Sequence, residues 1–133
     1  MSKVRLFVTG TFVVLAMLLL SACGPKKAEL NVDLTDYKFT PDTWEAPAGG
    51  EVTLNISDSG TLAHEFVIMK LGTKATPPFD ADDEGNIYWE VELEKGEKQT
   101  VTFTAPSEKG TYEVVCGTPG HLEQNMIGSL TVR

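Results

Sequence analysis

Cysteine and histidine are scarce in this chain of 133 residues, which holds two of each. Cys23 lies just after an apolar amino-terminal segment, residues 1–22, called the leader below. The sequence beyond Cys23 therefore has only the thiol of Cys116. A single thiol excludes an internal disulfide, and a leftover cysteine in an exported protein indicates a reactive thiol or a metal ligand. The sequence also lacks a phosphate-binding glycine motif, and no serine is marked as a nucleophile. We therefore do not expect an enzyme.

Basic residues are few as well, 11 against 19 acidic ones. Lys3 and Arg5 lie in the leader, so residues 23–133 carry nine basic and 19 acidic residues, a net charge of −10. This charge excludes nucleic acid as a partner, because binding to phosphates needs Lys and Arg. It favours solubility and attraction to basic partners.

The only long apolar run is Leu6–Leu20, and it is short for a membrane span. Basic residues precede it and small residues follow it, which predicts a cleaved secretory signal over residues 1–22. The stretch Leu20-Ser21-Ala22-Cys23 resembles the lipobox of bacterial lipoproteins. That resemblance implies cleavage before Cys23 and lipidation of its thiol. The alternative is an ordinary signal helix with a chance cysteine.

We expect residues 23–29 to be the lipidated cysteine and a short tether. The anchor would hold the protein on the outer face of a bacterial membrane, either the cell membrane or one that faces the periplasm. Several acyl chains give stable anchoring, whereas a single chain does not.

Residues 30–133 form one predicted domain of short strands separated by turns. Apolar and polar residues alternate in Leu30–Leu34 and Val52–Ile56, the period of half-buried strands. No long segment repeats apolar residues at helical spacing. Seven or eight short strands predict an all-β sandwich or barrel.

The segment from Gly72 to Asn86 is the longest predicted loop, with room for one helical turn. Its acidic residues imitate the first half of a calcium-binding loop, but position twelve is Val91 where a bidentate glutamate is needed. A solvated acidic loop is therefore the expected structure.

Cys116, His121 and Met126 follow one another at a regular step of five residues near the end of the chain. His64 is the only other histidine. Each residue alone is compatible with a structural role, but thiolate, imidazole and thioether together are the donors that suit copper. Zinc would more often take four Cys or His ligands, and only three such residues remain once Cys23 is lipidated.

The spacing has a structural interpretation. Cys116 ends a predicted strand, and residues 117–120 contain two glycines and a proline that can reverse the chain. His121 would then return beside the thiol, and Met126 would follow as the last strand begins. We expect His64 to come from a strand across the sandwich and to complete the site.

The pattern Cys-x4-His-x4-Met, with an earlier histidine, resembles the cupredoxin family of blue copper proteins. The stretch "CGTPGH" is similar to the ligand loop of the azurin, auracyanin and rusticyanin branch, and the resemblance spans residues 30–133. It implies a Greek-key β-sandwich of the cupredoxin type. It also implies one type 1 copper ion, with His64, Cys116 and His121 as equatorial ligands and Met126 as the weak axial ligand.

The resemblance further implies a monomeric electron carrier that alternates between Cu(I) and Cu(II). Its partners would be c-type cytochromes or membrane respiratory or photosynthetic complexes. A copper storage or delivery protein, or a metal-free β-sandwich that binds other proteins, are the alternatives. We expect electrons to leave where the His121 ring edge reaches the surface, within a patch that includes Leu62 and Leu122.

The chain departs from the family at one position. Glu65 follows the first histidine, where the family often has Asn or Ser. We expect the backbone N–H of Glu65 to donate toward the sulfur of Cys116, and its carboxylate to reach solvent or find a donor.

Overall fold

A computed structural model describes Gly24 and residues 26–133. The predicted signal sequence and the predicted lipidation site at Cys23 lie outside the described residues. The regular elements, in chain order, are β1 (Lys27–Thr35), β2 (Lys38–Thr40), β3 (Thr43–Ala46), β4 (Glu51–Asp58), β5 (His64–Met69), α1 (Ala81–Glu84), β6 (Ile87–Leu93), β7 (Lys98–Thr104), β8 (Gly110–Val115), a 3₁₀ turn (Leu122–Gln124) and β9 (Ile127–Val132). No helix in this part of the chain is long and apolar enough to cross a membrane.

The strands form two sheets, which confirms the predicted β-sandwich. One sheet has the order β2-β1-β4-β7 and the other the order β3-β9-β8-β5-β6. The described residues form nine strands where seven or eight were expected, because the segment after β1 is divided into the short strands β2 and β3. Strand β1 begins at Lys27, inside the range 23–29 that was assigned to the tether.

The core forms between the inward faces of the two sheets. Alternation in β1 and β4 turns one side of each strand inward, and each apolar side chain that becomes fully buried contributes about 1.5–3 kcal/mol. Phe39, Trp44 and Phe66 pack edge to face, with ring centroids 5.0–5.9 Å apart. This aromatic cluster fixes β2 and β3 against β5, the strand that begins with His64.

Strand β8 is the structural support of the candidate ligand loop. It lies between β9 and β5 in the five-stranded sheet, and Cys116 directly follows its last residue. Val67 and Ile68 of β5 pair with Val115 and Val114 of β8. The expectation that His64 comes from across the sandwich is therefore wrong, since β5 and β8 are neighbours in one sheet.

The predicted loop from Gly72 to Asn86 is more ordered than the sequence suggested. Asp80 caps α1 in a capping box with Asp83, whose side chain is 5% exposed. The Asp83 carboxylate accepts from the backbone N–H groups of Thr76 and Asp80 at 3.2 and 3.3 Å. Asp83 is thus a structural residue, and the description of a wholly solvated loop is wrong at this position.

Candidate metal centre

Cys116 is fixed by the backbone on two sides. Its side chain is fully buried, and its N–H donates to the carbonyl of Met126 at 3.2 Å. The backbone N–H of Glu65 donates to the Cys116 sulfur at 3.4 Å, as expected from the sequence. Because β5 and β8 are adjacent strands, this contact connects the start of β5 to the sulfur. The direction of the Cys116 side chain is therefore set by the sheet.

The loop after Cys116 returns His121 to the sulfur. Gly120 has φ +87°, a left-handed conformation that glycine adopts without a steric penalty. The N–H of His121 donates to the carbonyl of Thr118 at 3.1 Å, and the Thr118 hydroxyl donates to the carbonyl of Ala63 at 3.3 Å. His121 Nδ1 then lies 3.3 Å from Cys116 Sγ.

Met126 is positioned by the 3₁₀ turn that follows His121. Asn125 ends this turn with φ +61°, and the N–H of Met126 donates to the carbonyl of His121 at 3.1 Å. The Met126 side chain is fully buried in the same core cluster as Cys116. One loop between β8 and β9 thus carries three of the four predicted ligands.

His64 is the first residue of β5 and is fully buried. Its Nδ1 lies 2.9 Å from Asp58 Oδ2, and Asp58 Oδ1 accepts from the N–H of Gly60 at 2.8 Å. Its Nε2 has no hydrogen-bond partner among the described residues, and Asp36 Oδ1 lies 3.8 Å away. The rings of His64 and His121 are 4.8 Å apart between centroids.

Burial governs the ionisation of Cys116 and His121, the two titratable residues among the predicted ligands on the loop. It raises the pKa of the Cys116 thiol, an effect that hydrogen bonds from Thr118 and Glu65 partly oppose. Burial also lowers the pKa of His121, and the neighbouring His64 lowers it further. His121 is therefore suited to be a neutral ligand, and a metal ion that binds Cys116 must displace the thiol proton.

The donor chemistry fits copper. A buried thiol, two imidazoles and a thioether are the donors of a trigonal site with a weak axial ligand. His64 Nε2 is a buried ring nitrogen without a partner, an atom that a metal ion would satisfy. Across Gly24 and residues 26–133, no three or more His, Cys, Asp and Glu side chains form a group that could hold a metal ion. Cys116 and His121 are in direct contact, with 3.3 Å between Sγ and Nδ1.

Comparison with known families identifies the fold. Residues 9–132 match the family described as a cupredoxin-like domain. The chain belongs to the cupredoxin-like family. Comparison with curated protein sequences gave no significant match.

Solved cupredoxins place the chain near one branch of the family. It is similar to dithionite-reduced auracyanin from Roseiflexus castenholzii, at 26% identity and a TM-score of 0.66, over 79% of this chain and 96% of that one. Auracyanin A, a "blue" copper protein from Chloroflexus aurantiacus, is also 26% identical, with a TM-score of 0.60 over 79% of this chain and 99% of that one. These similarities confirm the resemblance to the azurin and auracyanin branch.

Two features of this cupredoxin were not found from its sequence. One is the contact between Asp58 and His64, and the other is the contact between the rings of Tyr37 and His121. The Asp58-Ser59-Gly60 stretch was interpreted only as a turn. Asp two residues before Gly is a typical side-chain-to-backbone turn, so the bond from Gly60 was predictable in principle. The second contact, from Asp58 to His64, depends on tertiary structure.

The exposed patch predicted around His121 is wrong in two places. His121 is only 2% exposed, and Leu122 is 3% exposed because it packs with Val67, Met69 and Val115. Leu62 is exposed, as expected, with 43% of its surface accessible. The ring of Tyr37 packs edge-on against His121.

Glu65 contacts the ligand loop through its side chain as well. A Cβ added at Gly117 would collide with Glu65 Oε2, so the carboxylate rests on the loop directly after Cys116. Burial raises the pKa of Glu65, and repulsion from Glu92, Glu90 and Glu84 raises it further. Glu65 and Glu92 are cross-strand partners, so an acidic surface extends from β6 to the edge of the ligand loop.

The lack of a side chain at Gly60 lets its backbone lie close to both the Asp36 carboxylate and the His64 ring. A Cβ at this position would lie 2.6 Å from Asp36 Oδ1 and 2.7 Å from His64 Cε1.

We expect Gly60→Ala to lower the free energy of unfolding by about 1–3 kcal/mol, because the added methyl group overpacks the site. Urea denaturation measures this loss. Gly85→Ala is the control, since no heavy atom lies within 4 Å of its added Cβ, and equal stability of the two variants would contradict the prediction.

Proposed function

We propose that this cupredoxin is a blue copper protein that carries single electrons between redox partners. The observation that carries the proposal is the contact of 3.3 Å between Cys116 Sγ and His121 Nδ1 inside a loop that also holds Met126. The family and the auracyanin neighbours support copper as the metal. His64, Cys116, His121 and Met126 would hold the copper ion.

The protein contributes rigidity to this function. When bound, copper supplies the one-electron couple Cu(I)/Cu(II). The backbone of β8, the N–H of Glu65 and the contact with Asp58 hold the donors in one arrangement. A fixed arrangement limits structural change between oxidation states, and buried ligands exclude water. Nothing in this arrangement requires an organic substrate.

Metal content and visible absorption test the proposal on protein that lacks residues 1–23. We expect one copper per chain and an intense blue or green colour after oxidation. A copper delivery protein would bind the ion without this band, and a metal-free interaction domain would contain no copper. Either result would contradict electron transfer at this site.

Membrane attachment through Cys23 is the second part of the proposal. The lipobox-like sequence supports it, and the anchor would place the domain near membrane-bound redox complexes on the outer face of a bacterial membrane. We expect Cys23→Ala to abolish lipidation and leave the protein uncleaved or soluble without detergent. Mass spectrometry of the wild-type amino terminus measures the modification. An unmodified Cys23 would exclude the anchor.

Basic redox proteins, such as cationic c-type cytochromes, are the proposed partners. The acidic surface formed by Glu65, Glu84, Glu90 and Glu92 would increase the rate of encounter with a cationic protein. Charges on the rim of an interface mainly change the association rate and its dependence on salt. The reaction with such a cytochrome should therefore slow as salt concentration increases.

A further inference from the structure

The buried ring of His121 is in contact with an exposed aromatic side chain, Tyr37. Tyr37 is 44% exposed, and its ring packs edge-on against His121 with centroids 5.1 Å apart and planes at 82°. Its inner side contacts a predicted copper ligand, and its outer side faces solvent. A redox partner that approaches this side of the site would meet Tyr37 before His121.

The position of Tyr37 is imposed by the fold. Its φ is +67°, an uncommon left-handed conformation for a residue other than glycine, and it costs of order 1–3 kcal/mol. Pairing of Thr35 with Lys38 closes the hairpin on both sides of Tyr37. Asp36 accepts from the N–H and the hydroxyl of Thr61 at 2.8 and 2.6 Å. The surrounding contacts thus maintain a strained residue over a ligand.

We propose that Tyr37 is the outer residue of the electron path, positioned between His121 and the redox partner. The inference rests on the proposed electron-transfer function. One electron passes from the reduced site to a one-electron acceptor in the partner, which becomes reduced. No bond forms or breaks, and Tyr37 keeps its phenol proton. The ring also limits direct access of small molecules to His121.

The first test measures how strongly Tyr37 limits the accessibility of His121, and it does not depend on copper. Tyr37→Asn removes the ring but retains a residue that tolerates the left-handed conformation, and Tyr37→Phe is the matched control. Diethyl pyrocarbonate modification, followed by mass spectrometry, reports the accessibility of each histidine in the full chain. We expect His121 to react several-fold faster in Tyr37→Asn and at the wild-type rate in Tyr37→Phe. His64 provides an internal reference because it is fully buried.

The second test measures electron exchange in the copper-loaded protein by stopped flow. In Tyr37→Asn, a small inorganic oxidant should react several-fold faster because it reaches His121 directly, whereas a c-type cytochrome should react more slowly because it loses the aromatic contact. Tyr37→Phe should leave both rates unchanged. Equal histidine reactivity and equal rates in all three proteins would overturn the inference. Absence of the visible band in wild type would instead refute the proposed function, while the modification experiment would still test how strongly Tyr37 limits the accessibility of His121.

Discussion

The Cys116→Ser variant is expected to lose the intense visible absorption completely. The band requires electron donation from a thiolate to copper, and a serine hydroxyl cannot provide it. Cys116 is the only free cysteine among the described residues. Its sulfur contacts His121 Nδ1 and accepts from the N–H of Glu65, so the substitution acts directly on the predicted site. Absorption spectra recorded after addition of Cu(II) and an oxidant measure the effect.

Cys23→Ser is the matched control, since it makes the same chemical change at the only other cysteine in the chain. It should alter lipidation and leave the colour unchanged. Circular dichroism of both variants distinguishes loss of the ligand from loss of the fold. A Cys116→Ser protein that remains folded and blue would show that copper binds elsewhere.

Much of the fold could be predicted from alternation in the sequence. The apolar residues of β1 and β4 point inward at every second position, which is why these strands were recognised. The donor set was predicted because two histidines and one thiol leave no choice of combination. The division into β2 and β3 was harder to predict, because it occurs within a few residues and depends on pairing with two different strands, β1 and β9.

Sheet membership and solvent exposure could not be predicted from local pattern. Alternation shows which face of a strand is buried, but it does not show which strand lies beside it, so His64 was placed in the wrong sheet. Leu122 follows a turn and was expected to be exposed, yet it packs against β5 and β8 residues of a second small core. Tyr37 covers His121 through a contact between residues distant in sequence.

Neutralising Asp58 is the second change with a large expected effect. Its carboxylate is fully buried and contacts the ring of His64, so its charge acts on the site with little screening. A buried negative charge beside a ligand favours Cu(II), because the oxidised site carries one more positive charge. We therefore expect Asp58→Asn to raise the reduction potential. Redox titration of the visible band measures this shift.

The size of the shift follows from Coulomb's law at the effective dielectric of protein sites. A unit charge one imidazole ring away contributes about 1–3 kcal/mol, or roughly 40–130 mV for a one-electron couple. Carboxylates that accept from a ligand histidine also make it a stronger donor, which acts in the same direction. Both contributions should disappear in Asp58→Asn, while the donor set of the site is retained.

Asp33→Asn provides a control with the same change in charge. Asp33 also accepts two hydrogen bonds, from the hydroxyls of Ser57 and Ser59, but these are made to residues other than the predicted ligands. Both variants should lose some stability to urea, because each loses charge-assisted hydrogen bonds. Only Asp58→Asn should shift the potential strongly and change the ¹⁵N spectrum of His64. If both variants shift the potential equally, the effect reflects net charge, and Asp58 has no specific role at His64.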